Sequence, residues 1–157
     1  MRKLLLLLAF PLTAACATES LGSASDGGAN VSCLKDARVA AWKNALTFNA
    51  GNGSVKLAFV SAEPAPPSRD TANVWQVKLT DQTGAALPDD TTVTLEPFMP
   101  DHGHGSISAP VCTAKGGGVW QVAPVNLFMP GVWRFTFTVQ RTGVAPAQVV
   151  FHLCIPG

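Results

Sequence analysis

Met99, His102 and His104 fall within the eight residues FMPDHGHG, 98 to 105, and the same Phe-Met-Pro returns in LFMPG, 127 to 131. The chain has three methionines and three histidines. With the initiator set aside, both methionines, Met99 and Met129, stand in these two segments, and two histidines lie one residue apart in the first. Thioether sulfur is a poor ligand for Zn²⁺, Mg²⁺ or Ca²⁺ and a good one for Cu(I), while imidazole suits several metals, copper among them. Two Met with two His therefore make a donor set that selects copper, Cu(I) above all. Asp101 has an oxygen to offer Cu(II), but an exposed turn aspartate is the simpler reading of it. Pro97 and Pro100 cannot donate ladder hydrogen bonds, so strand pairing is expected to fade here and leave the donors on an irregular loop. On extended backbone, His-x-His directs both rings to one side.

The same residues have a plainer account. Methionine at a strand end is commonly core filler, and His-Gly-His can be a solvent-facing turn. The two Phe-Met-Pro segments would then plug the mouth of a sandwich. His152 reads as a surface strand residue and stands outside the candidate set.

The elements that must carry these loops alternate with period two. SVKLAFVSA puts Val55, Leu57 and Phe59 on one face, VWQVKLT does so with Trp75, Val77 and Leu79, and TVTLEPF with Val93 and Leu95. VWRFTFTV sets Trp133, Phe135, Phe137 and Val139 against Arg134, Thr136 and Thr138. Such alternation marks half-buried antiparallel strands, and turn chemistry separates them at PAPPSRD, DQTGAALPDD, HGHGS, KGGG, MPG and RTGVAP. With 105–113, 118–125 and 147–154 included, the count is about seven short strands in about 100 residues, that of an immunoglobulin-like antiparallel β-sandwich. A barrel is the other all-β solution. CLKDARVAAWKNAL, 33 to 46, reads as an N-terminal arm laid against the sandwich with Trp42 as its apolar peg. In the last strand Val149, Phe151 and Leu153 share one face, which leaves His152 and Cys154 on the other.

The N-terminus, MRKLLLLLAFPLTAAC, joins Arg2 and Lys3 to an apolar run far shorter than the roughly 20 residues of a spanning helix. It reads as an export signal. Cys16 directly after Ala-Ala resembles the bacterial lipoprotein signal, in which that cysteine becomes the lipidated first residue. Thr13 stands where leucine is usual, and cleavage after Ala17 without lipid is the alternative. TESLGSASDGGAN behind it is a polar tether of the flexible kind. The expected division is a signal peptide at 1–15, a tether at 16–32 and a folded domain at 33–157. The protein is then a periplasm-facing lipoprotein of the cell envelope, with its lipid anchor in a bacterial membrane.

Arg2 and Lys3 leave with the signal, so eleven Lys+Arg become nine against ten Asp+Glu. No basic stripe remains to hold phosphates, which argues against nucleic acid as a partner. With Cys16 lipidated, Cys33, Cys112 and Cys154 remain, an odd number for an oxidising compartment. A Cys33–Cys154 bridge would tie both ends of the domain and is the preferred pairing; 112–154 and 33–112 stay open on spacing.

PFMPDHGHGS followed by GVWQVAPVNLFMPGVWRFTFTV resembles the YtkA-like domain family and, more distantly, FixH-like proteins. The resemblance covers roughly residues 53 to 140. SAEPAPPSRDTANVWQVKL and the terminal FHLCIPG also look like members that occur as exported bacterial lipoproteins. The resemblance implies an immunoglobulin-like β-sandwich and a link to copper handling or oxidase assembly. Its pattern falls on Met99, His102, Gly103, His104, Gly105, Met129, Gly131 and Trp133. Cys112, within a strand, and the imperfect lipidation signal depart from it.

Three functions compete. The first is a tethered copper-binding protein with Met99, His102, His104 and Met129 as ligands, which buffers copper or passes it to a periplasmic acceptor. The second is a metal-free sandwich that presents its loops to an envelope partner. Catalysis is the weakest: adjacent Asp101 and His102 cannot readily orient one another, and no Gly-x-Ser-x-Gly, His-Glu-x-x-His or phosphate loop is present.

Overall fold

In the computed structural model, which describes residues 33–157, nine strands realise the alternation. They are β1 (Thr47–Asn49), β2 (Lys56–Glu63), β3 (Asn73–Thr80), β4 (Thr92–Met99), β5 (His104–Gly105), β6 (Val111–Gly116), β7 (Val119–Val125), β8 (Gly131–Gln140) and β9 (Ala147–Ile155). The signal segment, Cys16 and the tether lie outside the described residues. Among those described, no helix is long and apolar enough to cross a membrane.

The strands form two antiparallel sheets, ordered β1-β2-β3-β7-β6 and β5-β4-β8-β9. With the edge strand β1 set aside, these are the A-B-E-D and C′-C-F-G orders of an immunoglobulin sandwich. The expected seven strands become nine because β1 and β5, of three and two residues, are too short to show alternation. The strand expected over 105–113 begins instead at Val111. Since β5 and β6 belong to different sheets, residues 106–110 must cross the mouth of the sandwich and, past the Ser106 amide on the Pro97 carbonyl, belong to no strand on the way.

The inward faces meet in an aromatic core. Trp75, Trp120, Trp133, Phe135 and Phe137 are fully buried. Trp75 meets Phe135 edge-on across the sheets at 5.0 Å and Phe59 at 5.3 Å between ring centres, pairings worth about 0.5–1.5 kcal/mol each beyond their buried area. Asn73 is the buried polar exception in β3. Its Nδ2 donates to the carbonyls of Ser68 (2.7 Å) and Val125 (3.0 Å), and its Oδ1 accepts from the Ser68 amide (2.9 Å). Asn73→Ala leaves those backbone groups unpaired and is expected to cost about 2–3 kcal/mol, read as a lower denaturant midpoint with unchanged slope.

The arm opens with a single 3₁₀ turn, Cys33–Lys35. A disulfide joins Cys33 to Cys154 on β9, with a Cα–Cα distance of 5.4 Å. Further along, the Ala40 amide donates to the His152 carbonyl at 3.0 Å, and Trp42 sets its edge on Phe59 at 5.3 Å. Cys112 is a free thiol on β6, and burial pushes it up to about 11, so it stays protonated and unreactive at neutral pH.

Candidate metal site

Strand register gathers the distant loops at one rim. Phe98 pairs with Arg134 and Gly131 with Ile155, so the end of β4, the start of β8 and the end of β9 lie side by side. The chain leaves β4 through a turn whose His102 and Gly103 amides both donate to the Met99 carbonyl, at 3.2 and 2.9 Å. It returns as β5, where His104 pairs with Met99. Gly103 holds the turn with φ of 72°, a left-handed conformation that glycine adopts freely. The His-x-His backbone is therefore a tight turn and not the extended segment expected.

Two of the three crossings between the sheets, 106–110 and 126–130, run over this rim and are tied together. Ser106 Oγ donates to the Asn126 carbonyl at 2.8 Å, and Asn126 Nδ2 donates to Ser108 Oγ at 3.1 Å. His104 stacks on Phe128 at 5.5 Å between ring centres. Trp133 Nε1 donates to the Met129 carbonyl at 2.9 Å, which fixes the backbone of that loop.

The His102 and His104 ring centres are 5.8 Å apart. With metal–nitrogen bonds of about 2 Å, two imidazoles sharing one ion have ring centres roughly 5–6 Å apart, so the pair has the right spacing. His104 Nδ1 lies 3.2 Å from the Gly105 carbonyl oxygen. A carbonyl only accepts, so Nδ1 carries the proton and Nε2 keeps the lone pair that binds a metal. His102 is exposed on the turn, His104 half-buried behind it.

The two thioethers differ. Met129 is partly buried against the core, at the edge of the rim. Met99 is fully buried, one more inward position after Val93, Leu95 and Pro97, and so does not stand on the surface loop expected for it. A Cβ at Gly131 would sit 3.0 Å from the Met99 methyl, so the glycine of the Met-Pro-Gly turn leaves room for that side chain. The rim thus brings together His102, His104 and the Met129 loop and seats Met99 beneath them. Among the described residues no group of three or more His, Cys, Asp and Glu side chains could hold a metal ion. An ion here would draw further donors from sulfur.

Arg38 also reaches this rim, at Asp101. Its guanidinium forks across two carboxylates, with Nε and Nη2 on Asp36 (2.9 and 2.7 Å) and Nη1 and Nη2 on Asp101 (2.8 and 2.7 Å). Hydrogen bonds from Arg38 hold Asp36 down to about 2 and also lower Asp101. His152, on the adjoining face of β9, is lowered first by burial and then by the charges of Arg38 and Arg134. No local motif announces a pair 63 positions apart.

An immunoglobulin-like sandwich with a His/Met rim clamped by an N-terminal arm is the class of protein defined by this geometry. The chain belongs to the YtkA-like family, whose profile matches residues 49–138, more than half of its length. No protein of curated function shows significant sequence similarity to it. Similar solved structures include a copper-bound variant of FetP from uropathogenic Escherichia coli, at 13% identity and a TM-score of 0.45 over 71% of this chain and 99% of that one. FetP of the same organism in its as-isolated form gives 13% and 0.45 over 71% and 97%. A copper-bound variant of the Campylobacter jejuni protein P19 gives 11% and 0.42 over 71% and 99%.

Proposed function

We propose that this YtkA-like protein is an exported, lipid-anchored copper carrier of the cell envelope. It takes Cu(I) at the rim through His102, His104 and Met129, and buffers it or passes it to a periplasmic acceptor, with oxidase assembly one destination. The observation that carries this reading is the 5.8 Å imidazole pair, in which the Gly105 carbonyl leaves His104 Nε2 as the free donor. A thioether donor suits an oxidising compartment, since it cannot be lost to a disulfide. Exposed His102 is the ligand that an incoming acceptor reaches first, which allows release by ligand exchange. The reading includes no catalysis: the Asp101 carboxylate, which a histidine base would need for orientation, is turned to Arg38.

The test is titration of the mature protein with Cu(I) against a chromogenic chelator. Met129→Leu is expected to weaken binding about tenfold, or 1.4 kcal/mol. Met99→Leu, in the sealed position, is expected to change it less than about threefold. Wild-type affinity in the Met99→Leu/Met129→Leu double variant would sink the thioether reading.

One observation favours a second reading, a metal-free module that shows this rim to an envelope partner. Ile107, on the crossing segment, is 82% exposed, and Phe128 is exposed beside His104. Partner capture without copper, unchanged in His102→Ala/His104→Ala, would decide for that reading.

A further inference from the structure

We propose that Arg38 is a specificity-determining residue of the rim: by holding the Asp101 carboxylate it leaves nitrogen and sulfur as the donors on offer and so selects Cu(I) over divalent cations. The inference rests on the copper reading of His102, His104 and Met129. Asp101 directly precedes His102 in the turn. A free carboxylate there would join the two imidazoles in a mixed nitrogen and oxygen set of the kind that holds Zn²⁺ or Cu²⁺. Instead both of its oxygens accept from Arg38, at 2.8 and 2.7 Å.

The guanidinium is set in place before any ion arrives. Asp36 accepts from Arg38 Nε, Nη2 and the Arg38 backbone amide, the last at 2.8 Å. The segment that carries it is fastened on one side by the Cys33–Cys154 bridge and on the other by the Ala40 amide on the His152 carbonyl. Stability does not account for such an arrangement. The Arg38 and Asp101 side chains are 40% and 50% exposed, and pairs so open to water contribute little. The effect on a bound ion is that the carboxylate is withheld, both of its oxygens being taken up by the guanidinium. Lysine would not serve equally, since only the planar guanidinium spans both carboxylates.

The experiment compares the mature protein with its Arg38→Gln, Asp101→Asn and Arg38→Gln/Asp101→Asn variants. Zn(II) affinity is read by competition with a fluorescent chelator and Cu(I) affinity with a chromogenic one. Arg38→Gln is expected to tighten Zn(II) by about tenfold or more, the scale on which residues around metal ligands act, and to leave Cu(I) within about threefold. The double variant is expected to return Zn(II) to the wild-type value, because the gain comes through the Asp101 oxygens. Equal changes for both metals would make Arg38 a mere loop support and overturn the proposal, as would an unchanged Zn(II) affinity. Wild-type protein that binds no Cu(I) overturns the site reading and this inference together. Cu(I) bound by wild type with no gain of Zn(II) in Arg38→Gln overturns the inference alone.

Discussion

Replacing Cys33 and Cys154 together by alanine is expected to lower the unfolding free energy by about 4–5 kcal/mol, the chain-entropy value for a loop of this length. The two cysteines are 121 positions apart, so the bridge encloses nearly the whole domain and restrains almost all of its denatured chain. In the folded state the arm keeps the Ala40 hydrogen bond and the edge contact of Trp42 with Phe59. Residues 33–38 lose their covalent hold, and ordering each of them costs roughly 1–2 kcal/mol of backbone entropy. Arg38 is then expected to leave Asp101 for much of the time. Denaturant unfolding of the double variant, set beside wild type with and without reductant, measures the effect. A steeper denaturant dependence should accompany it, because the unbridged denatured state exposes more surface. A loss below about 1 kcal/mol would show that side-chain contacts alone hold the arm.

Most of the sandwich is legible in period-two alternation, because each long strand has one face in the core. Trp133, Phe135, Phe137 and Val139 declare β8 by their spacing alone, and all four are buried. Alternation fails for β1 and β5, where a face consists of one or two side chains. It also tells more about Met99 than the prolines around it suggest. Pro97 lacks an amide hydrogen, yet it stays in register opposite Phe135, and its carbonyl accepts from the Ser106 amide at 3.2 Å. Strand β4 therefore runs on to residue 99, and its inward series ends in a buried thioether. The meeting of the 98–105 and 126–131 segments depends on which strands cross between sheets, a property of topology that spacing does not encode. The Arg38 fork is further still from the sequence: its members lie on an arm and a turn that only the completed fold brings together.

His104→Ala is expected to weaken Cu(I) binding about 100-fold or more, or 2.7 kcal/mol, against about tenfold for His102→Ala. The difference lies in preorganisation. His104 is half-buried, stacked on Phe128 at 5.5 Å and set edge-on to Trp133 at 6.4 Å, with Nδ1 on the Gly105 carbonyl. Its ring binds an ion without further ordering. His102 stands exposed on the turn, and immobilising such a side chain costs about 0.5–1.5 kcal/mol of the gain. Alanine at 104 also removes the stacking partner of Phe128, so lost affinity alone would not separate ligation from packing. His104→Phe separates them: a phenyl ring keeps the apolar stack on Phe128 and Trp133 and has no nitrogen to offer. Cu(I) affinity as low as that of His104→Ala, in a protein that unfolds at the wild-type midpoint, assigns the effect to the lost donor. Wild-type Cu(I) affinity in His104→Phe would instead mean that the ring serves packing, and that the Phe-Met-Pro loops close the mouth of the sandwich without binding metal.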